Sequence, residues 1–309
     1  MPLLSVITPC YNEAENIRSL CERVQKALSQ IPQYEYEHIV IDNASKDGTV
    51  SILRELAKED KRLKVIVNAR NFGHLRSPHH AMLLAQGDAV IVLASDLQDP
   101  PELILEFVKK WEEGYKIVLG VKTESEESPI MFFIRKRYYD LIGALSEIKL
   151  VKNATGFGLY DRAVMDVVRK IDDPYPYFRG LICDIGFEQA HLYYKQAKRR
   201  RGITKNNFYT LYDLAMLGIT NHSKVPLRLA TFVGFLMSAV GFLLALGYFF
   251  AKLLFWNHFA LGSAPILIGF FLFSSVQLFF IGILGEYIGA IHTQVLKRPL
   301  VVEKERINF

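Results

Sequence analysis

The chain has 309 residues, with 37 Lys and Arg against 32 Asp and Glu, and half of its residues are hydrophobic. So much apolar material excludes a disordered chain. The three cysteines, with no CxxC pair, exclude a disulfide-held scaffold and suit a reducing compartment. Six of the basic and three of the acidic residues follow residue 225, so the first 225 residues are nearly neutral and give little support to nucleic-acid binding.

Short apolar runs alternate with helical patterns over the first 120 residues. Strands are predicted at Leu3–Thr8, His38–Asp42, Leu63–Asn68, Ala89–Ala94 and Lys116–Gly120, and helices at Asn16–Leu28, Val50–Ala57, His79–Ala85 and Leu103–Glu113. This alternation predicts an α/β fold with a mostly parallel, doubly wound sheet. Ligands of such sheets gather at the carboxyl ends of the strands.

Polar clusters follow the predicted strands at those ends. They are Pro9–Glu13, Asp42–Thr49, Asn71–Gly73 and Ser95–Asp99. Neither GxGxxG after the first strand nor GxxxxGK[ST] is present, which argues against a dinucleotide cofactor and excludes a P-loop. Carboxylates beside a phosphate normally need a divalent cation, and oxygen ligands favour Mg²⁺ or Mn²⁺.

Two uncharged stretches follow, Leu229–Ala251 with 23 residues and Pro265–Gly285 with 21. Each is long enough for a helix to cross a bilayer, since about 20 residues suffice. The alternative is a pair of buried core helices. Glycines punctuate both stretches and allow close helix packing, either within the hairpin or between copies of the chain.

Positive charges flank the pair of spans. Lys224 and Arg228 precede the first, Lys297 and Arg298 follow the second, and the connection at Phe255–Ser263 has neither Lys nor Arg. The positive-inside rule then predicts that both termini and the first 225 residues are cytoplasmic. The N-terminal apolar run is too short and too polar for a signal peptide.

An ordered set of motifs resembles a known family. The set comprises Pro9-Cys10-Tyr11-Asn12-Glu13, DNASKDGT from Asp42, Arg70-Asn71-Phe72-Gly73, DLQDPPE from Asp96, GEYIG from Gly285 and Lys297-Arg298-Pro299. From about residue 4 to residue 303 the chain resembles family 2 glycosyltransferases of the GT-A fold, in particular the membrane-anchored polyprenyl-phosphate glycosyltransferases. The resemblance implies a Rossmann-like GT-A catalytic domain with a mostly parallel sheet, plus a two-helix transmembrane anchor.

Four regions follow from this resemblance together with the hydropathy pattern. Residues 1–205 are the expected cytoplasmic catalytic domain, 206–225 an interfacial segment around the apolar run Phe208–Leu217, 226–292 the two transmembrane helices, and 293–309 a cytoplasmic tail.

The family's first motif and its second-strand Asp hold the nucleotide base and ribose. By position this implies nucleotide contacts from Pro9, Tyr11, Glu13 and Asp42, with Asn71 after the third strand. The alternative for Glu13, and equally for Asp47, is capping of the helix that follows each of them.

The family's metal-binding Asp-x-Asp reads Ala94-Ser95-Asp96 here, so the first Asp is absent. The resemblance assigns Asp96 and Gln98 as ligands of Mg²⁺ or Mn²⁺ and Asp96 as a catalytic residue. Asp99 or a water molecule is the candidate for the vacant place. The alternative is that Asp96 and Asp99 only cap the helix that starts at the Pro-Pro-Glu.

Basic residues supply the candidate phosphate contacts. The run Lys198–Lys205 resembles the family's Arg-x-x-Gly-x-Ser/Thr-Lys, which assigns Arg199 and Lys205 as catalytic phosphate clamps. The alternative is a membrane-surface patch attracted by anionic lipid. Further candidates for phosphate are Lys122, Arg135 and Arg137.

Some relatives carry an Asp near the acceptor in the segment that closes over the sugar, where this chain has Gly156 within Ala154–Arg162. A phosphate acceptor is already anionic above a second pKa of about 6 and needs little deprotonation. Asp161 is expected to pair with Arg162 or to cap the next helix.

The sequence therefore predicts inverting transfer of a hexose, with glucose expected, from a UDP-sugar to a polyprenyl phosphate at the cytoplasmic membrane face. The expected partners are this donor, this acceptor, the bilayer and further copies of the chain, but no nucleic acid. Two alternatives stay open. One is another donor, GDP-mannose or UDP-N-acetylglucosamine, or another lipid acceptor; the other is a catalytically silent membrane scaffold, suggested by Ala94 and Gly156.

Overall fold

The computed structural model describes residues 1–123, 151, 153–196, 216–220, 223–255 and 263–309. Eight strands form one sheet: β1 (Leu3–Cys10), β2 (Glu35–Asp42), β3 (Leu63–Asn68), β4 (Ala89–Val92), β5 (Ile117–Lys122), β6 (Ala154–Asp161), β7 (Gln189–Tyr194) and β8 (Glu303–Ile307). The helices are α1 (Ile17–Leu28), α2 (Thr49–Glu59), α3 (Gly73–Leu84), α4 (Ile104–Glu112), α5 (Arg162–Lys170), α6 (Phe178–Asp184), α7 (Val225–Leu254) and α8 (Ser263–Leu296), and a short 3₁₀ turn spans Pro101–Leu103.

The strand order in the sheet is β7-β5-β6-β4-β1-β2-β3-β8. The pairs β1–β2, β1–β4, β2–β3 and β5–β7 are parallel, whereas β4–β6, β5–β6 and β3–β8 are antiparallel. The sheet is thus mixed but mostly parallel, which confirms the predicted α/β class, and the first five predicted strands are all present.

Both faces of the sheet are covered, which explains why the strands read as nearly continuous apolar runs. Successive residues point to opposite faces, so Leu4 and Val6 pack with α1, α2 and α4, while Ile7 packs with α3, α5 and α6. Full burial of these side chains supplies the main stabilising term of the domain.

Helix α3 begins at Gly73, six residues before the predicted start at His79. The prediction was wrong because Pro78 lies inside the helix, and a proline inside a helical pattern usually marks a boundary. Here Pro78 lies in the second turn, where its missing N–H costs one bond to the His74 carbonyl.

Helices α7 and α8 contain two stretches long and apolar enough to cross a membrane, Val225–Ala251 and Gly269–Leu296. In each helix, the most apolar stretch of 18 residues contains no buried residue. Large side chains such as Phe235 and Phe271 are exposed, at 75% and 66%. A core helix would bury these side chains, so the alternative of two buried core helices is not what the structure shows.

The hairpin of α7 and α8 is closed at its base by Tyr287, whose hydroxyl donates to the carbonyl of Ser223 at 2.6 Å. A Cβ added at Gly241 would lie 3.8 Å from the Phe273 ring, while the other glycines described in the two helices would meet nothing within 4 Å. Only Gly241 therefore supports packing within the hairpin, among the residues the structure describes.

The chain after α8 does not run free as a tail. Residues Glu303–Ile307 form β8, which pairs antiparallel with β3 at the edge of the sheet. The sequence did not predict this strand, because its residues alternate between charges and give no apolar run.

Buried His38 predicts an acid-sensitive fold. It is 4% exposed, its Nε2 lies 3.0 Å from Thr8 Oγ1, and burial lowers its pKa to about 4, although Asp60 opposes this. Because an unfolded His has a pKa of about 6.5, the unfolded chain takes up a proton that the folded chain excludes. We therefore expect stability to be maximal above pH 6.5 and to fall as the pH drops toward 4, by on the order of 2–3 kcal/mol from this residue.

Urea unfolding of the full chain in detergent micelles, measured between pH 4 and 7.5, checks this expectation. His38→Gln should flatten part of the pH dependence, whereas His191→Gln, a change at an exposed position, should leave it unchanged. An unchanged slope in His38→Gln would contradict the assignment.

Candidate active site

A cleft of about 330 Å³ opens at the carboxyl ends of the central strands. Residues from seven segments of the chain line it: Pro9, His74, Leu75, Pro78, His79, Met82, Val92, Ala94, Asp96, Gln98, Asp99, Lys122, Thr155, Gly156, Phe157, Pro176, Tyr177, Phe178, Arg179 and Gln196. This is the edge where a parallel sheet gathers its ligands, and it brings together Pro9, Asp96, Gln98 and Lys122 of the predicted site residues.

The loops at this edge hold strained backbone. Asn12 after β1, Ala44 after β2 and Leu97 after β4 have φ of 55°, 63° and 56°. Non-glycine residues adopt this left-handed region at a cost, and such residues cluster at functional sites. The first two loops are joined, since Asn12 N–H donates to Ser45 Oγ and Lys46 N–H donates to Asn12 Oδ1, both at 2.8 Å.

Asp96 is half-buried in the cleft wall and accepts a hydrogen bond from the backbone N–H of Gln98 at 3.2 Å. The side chain two residues before it is that of Ala94, which offers no oxygen. Among the described residues, Asp96 accepts from Gln98 N–H and Asp99 from Tyr194 and Gln196, and neither accepts from the turn at Pro101–Leu103. The capping alternative for these two carboxylates is therefore wrong.

Asp99 is 5% exposed and accepts from the Tyr194 hydroxyl at 2.5 Å and from Gln196 Nε2 at 3.4 Å. Burial raises the pKa of its carboxyl, against the opposing effects of Tyr194 and Lys122. If Asp99 bound the metal instead of the aspartate that Ala94 replaces, metal binding would compete with the hydrogen bond from the Tyr194 hydroxyl.

Asp42 lies at the end of β2 and is fully buried. Its carboxylate accepts from the N–H and the hydroxyl of Ser45, and the Cys10 thiol donates to it at 3.7 Å. Burial raises the pKa of Asp42, whereas the Ser45 bonds lower it. In this structure Asp42 holds the β2 loop, and its contact with a nucleotide base stays a prediction.

The first motif forms the turn from β1 into α1. Glu13 N–H donates to Thr49 Oγ1 at 2.9 Å, and its carboxylate accepts from Asn16 Nδ2 at 2.7 Å, while Tyr11 is half-buried. Asp47 accepts from Thr49 N–H at 3.0 Å at the first residue of α2, which supports its capping role. The nucleotide contacts predicted for Tyr11 and Glu13 stay predictions.

Asn43 links the β2 loop to the loop before α3. Its Nδ2 donates to Asn71 Oδ1 at 2.9 Å and to the Gly73 carbonyl at 3.1 Å, and its Oδ1 accepts from Asn68 and from Phe72 N–H. Asn71 is exposed and in turn accepts from Gly73 N–H at 2.8 Å. The sequence did not single out Asn43, since a buried asparagine hub depends on partners 25 to 30 residues away.

Gly156, in strand β6, has φ of +93° and lines the cleft. A side chain at this position would be strained although nothing lies within 4 Å of its Cβ. Asp161, at the other end of β6, caps α5 by accepting from Ala163 N–H at 2.8 Å. Its ion pair is with Lys116 at 3.0 Å.

The positive side of the cleft includes Lys122 at the end of β5 and Arg179 in α6, whose Nη1 donates to the Ala154 carbonyl at 3.4 Å. The sequence missed Arg179, as well as His74 and His79 of α3, because none of them belongs to a recognised motif. Arg135, Arg137, Arg199 and Lys205 lie outside the described residues, as do residues 206–215.

Comparison with known proteins decides the family. The sequence profile described as Glycosyl transferase family 2 matches residues 5–169, more than half of the chain. The chain belongs to glycosyltransferase family 2. The matched region runs from β1 into α5 and so contains the loops after β1 to β4 that form this edge of the sheet.

Relatives in this family match nearly the whole chain. An uncharacterized glycosyltransferase YkcC of Bacillus subtilis (strain 168) is 36% identical over 302 residues, 96% of this chain and 92% of its own. The bactoprenol glucosyl transferase of Shigella phage SfII is 32% identical over 303 residues, 98% of this chain and 97% of its own.

Among solved structures, glucosyl-3-phosphoglycerate synthase from Mycobacterium tuberculosis, in complex with Mn²⁺, UDP and glucosyl-3-phosphoglycerate, is similar in fold. It has a TM-score of 0.48 and 18% identity, and the match covers 71% of this chain and 78% of that one.

The Asn43 hub predicts a large effect on stability. Asn43→Ala removes a 7% exposed side chain, leaves the N–H of Phe72 without its acceptor and takes one of the two acceptors from Asn68 Nδ2, which keeps its bond to Ser77 Oγ. We expect a loss of on the order of 2–4 kcal/mol in the free energy of unfolding.

Urea unfolding of the full chain measures this loss. The matched control is Gln30→Ala, which removes an exposed amide bonded only to the Lys26 carbonyl at 3.3 Å and should change stability by less than about 0.5 kcal/mol. Equal stability of Asn43→Ala and the control would show that the hub is not needed.

Proposed function

We propose that this family 2 glycosyltransferase transfers a hexose, with glucose expected, from a UDP-sugar to a polyprenyl phosphate with inversion at C1. The observation that carries the proposal is the 98% coverage of the chain by a bactoprenol glucosyl transferase, which extends over both candidate membrane helices as well as the cleft. A long lipid acceptor keeps its phosphate at the membrane surface, so an enzyme that carries its own membrane helices fits it.

Inversion follows when one oxygen of the lipid phosphate attacks C1 on the face opposite the leaving UDP. The new bond joins that oxygen to C1, and the bond from C1 to the UDP oxygen breaks with its electron pair leaving on UDP. No carboxylate base is needed at Gly156, because the acceptor oxygen is already anionic at neutral pH. Catalysis then depends on positioning and on neutralising the charge that develops on UDP.

The residues of the cleft fit a divalent cation if the phosphates of the substrate supply some of its ligands. Asp96 and Gln98 both line the cleft, although no cluster of three His, Cys, Asp or Glu side chains suits a metal among the residues described. Mg²⁺ often binds through one or two carboxylates plus the phosphates of its substrate. When bound there, Mg²⁺ or Mn²⁺ would offset the negative charge of the diphosphate.

We assign the remaining roles as follows. Lys122 lies on the cleft wall and supplies positive charge beside Asp99, and Arg179 offers a guanidinium to the same space. Arg199 and Lys205 are the proposed clamp on the diphosphate or the lipid phosphate, with Arg135 and Arg137 as further phosphate contacts. Pro9, Tyr11, Glu13, Asp42 and Asn71 are the proposed contacts of the nucleotide.

The second candidate is a catalytically silent scaffold, favoured by Ala94 and Gly156 at two places where relatives carry carboxylates. An open cleft that keeps Asp96, Gln98 and Lys122 together favours the enzyme. Homo-oligomerisation through the outward glycines of α7 and α8 stays part of the proposal.

A donor panel tests the reaction. Purified full-length chain with undecaprenyl phosphate and Mg²⁺ should form a lipid-linked sugar from UDP-glucose faster than from GDP-mannose or UDP-N-acetylglucosamine, as measured by lipid extraction and chromatography. A faster reaction with either of the other donors would replace glucose in the proposal. The absence of product with every donor would favour the scaffold.

Asp96→Ala should reduce transfer by at least about 100-fold, because Asp96 is the charged member of the two proposed metal ligands, Asp96 and Gln98. Asp166→Ala, an exposed carboxylate of α5, is the control and should retain full transfer. Retained activity in Asp96→Ala, with unchanged unfolding, would remove Asp96 from the reaction.

The proposed orientation places the catalytic domain and both termini in the cytoplasm, and single cysteines test it. Asn257→Cys lies in the connection between the helices, and Lys224→Cys lies just before α7. A membrane-impermeant maleimide added to intact cells should label the first, and the second only after permeabilisation. Wild-type chain gives the background, and the reverse pattern would overturn the orientation.

A further inference from the structure

The residues that follow α8 are built into the catalytic sheet. We call residues 297–309 the return segment. Its strand β8 pairs with β3 in the register Val65–Ile307, Ile66–Arg306, Val67–Glu305 and Asn68–Glu303. Ala69 N–H adds a bond to the Val302 carbonyl at 2.8 Å, and Val301 is 6% exposed.

The return segment also contacts one side of α3. Arg76 donates a hydrogen bond to the Pro299 carbonyl, and His80 Nε2 lies 2.5 Å from Glu303 Oε1. Arg76 and His80 are four residues apart and so share one face of the helix. The His80–Glu303 pair is about 80% shielded from solvent, with side chains 20% and 17% exposed, so it is screened less than a surface pair.

Other residues of α3 form a wall of the cleft. Leu75, Pro78, His79 and Met82 line the cleft, at the spacing of three and four residues that marks one helix face. His79 is 2% exposed, and its Nδ1 has no hydrogen-bond partner among the residues described. Nδ1 therefore adds no hydrogen bond to hold this buried ring, which packs edge-on against Phe178 with 6.1 Å between ring centroids, so the place of the ring depends on where α3 is held.

The link between the membrane helix and α3 is short. Only Lys297 and Arg298 separate the end of α8 at Leu296 from Pro299, the partner of Arg76. Three residues of chain span at most about 11 Å. Since the next residues are fixed by β8, the end of α8 cannot move far from α3 without breaking these contacts.

Further contacts hold the return segment to helix α2 and to the start of β3, neither of which lines the cleft. Arg54 of α2 pairs with Glu305 at 2.6 Å, and Asn308 Nδ2 donates to the Ala57 and Leu63 carbonyls at 2.6 and 2.9 Å. Attachment to α2 and attachment to α3 therefore depend on different side chains, and each can be removed by itself.

We propose that Arg76 and His80 are positioning residues, which use the return segment to hold the α3 wall of the cleft at a set place relative to the second candidate membrane helix. The part of this proposal that concerns the acceptor rests on the proposed function. An acceptor held in the membrane meets the cleft from the side of α8, whereas a soluble donor does not. Loss of these contacts should therefore weaken acceptor binding and spare donor binding.

The first experiment needs no substrate. Hydrogen–deuterium exchange of the full chain in lipid nanodiscs should show amides of residues 73–84 exchanging about tenfold faster in Arg76→Ala and His80→Ala. Arg54→Ala is the matched control, since it removes the α2 attachment, and should leave residues 73–84 unchanged. Unchanged exchange in both α3 variants, or the same increase in the control, would overturn the proposal.

The second experiment measures kinetics. In His80→Ala the KM for undecaprenyl phosphate should rise about fivefold or more, while the KM for the UDP-sugar changes by less than about twofold. His80→Gln keeps a donor near Glu303 and should restore most of the lost acceptor binding. Equal effects on both substrates, or an equal rise in Arg54→Ala, would overturn the acceptor role.

The two experiments separate this proposal from the proposed function. If the wild-type chain transfers no sugar from any donor, the proposed function fails, and the exchange experiment alone decides whether Arg76 and His80 position α3. If transfer occurs but exchange in α3 is unaffected, the reaction stands and the positioning role fails.

Discussion

The cleft depends on the parallel pairing of β1 with both β2 and β4. Because the three strands run in one direction, their carboxyl ends meet at one edge of the sheet, and the loops that follow them share one space. Both faces of the sheet are covered by helices, so this edge is where the sheet presents polar groups at strand ends. The loops turn sharply through the left-handed residues Asn12, Ala44 and Leu97, and Asn43, next to Ala44, ties the loop after β2 to the loop after β3.

The cleft of this family 2 glycosyltransferase is lined by Ala94 and Gly156 at the two positions where the sequence resemblance led us to look for carboxylates. Neither residue offers a side-chain oxygen to the space that Asp96 lines. The backbone here requires glycine: the φ of Gly156 is positive, and a Cβ at Gly158, two residues on, would overlap the Val118 carbonyl. These glycines belong to the packing of β6 and are not simple deletions of a side chain. The proposed anionic acceptor suits a site without a carboxylate base, because the nucleophile brings its own charge.

Much of the catalytic fold was predictable because its signals are local. Five buried strands, four helices and the polar clusters after them follow from apolar runs and helical spacing. The start of α3 was not predictable, because a proline such as Pro78 normally marks a helix boundary. Packing against the sheet keeps the helix continuous through it. The hydrogen bonds from Ser45 to Asp42 could not be predicted from the sequence. A carboxylate that follows a strand can bind a ligand or stabilise a turn, and only the folded loop brings the Ser45 hydroxyl to Asp42.

By itself the sequence determined the α/β class, the two apolar helices and the family, because each depends on residues close together in the chain or on an ordered set of motifs. The tertiary structure decided which of the predicted residues share the cleft. It also showed that β8 completes the sheet after the two candidate membrane helices. Four of the five residues of β8 are charged, alternating between acidic and basic, and carry no strong preference for a strand. They form one because β3 offers an unpaired edge, and because α8 ends only a few residues from it.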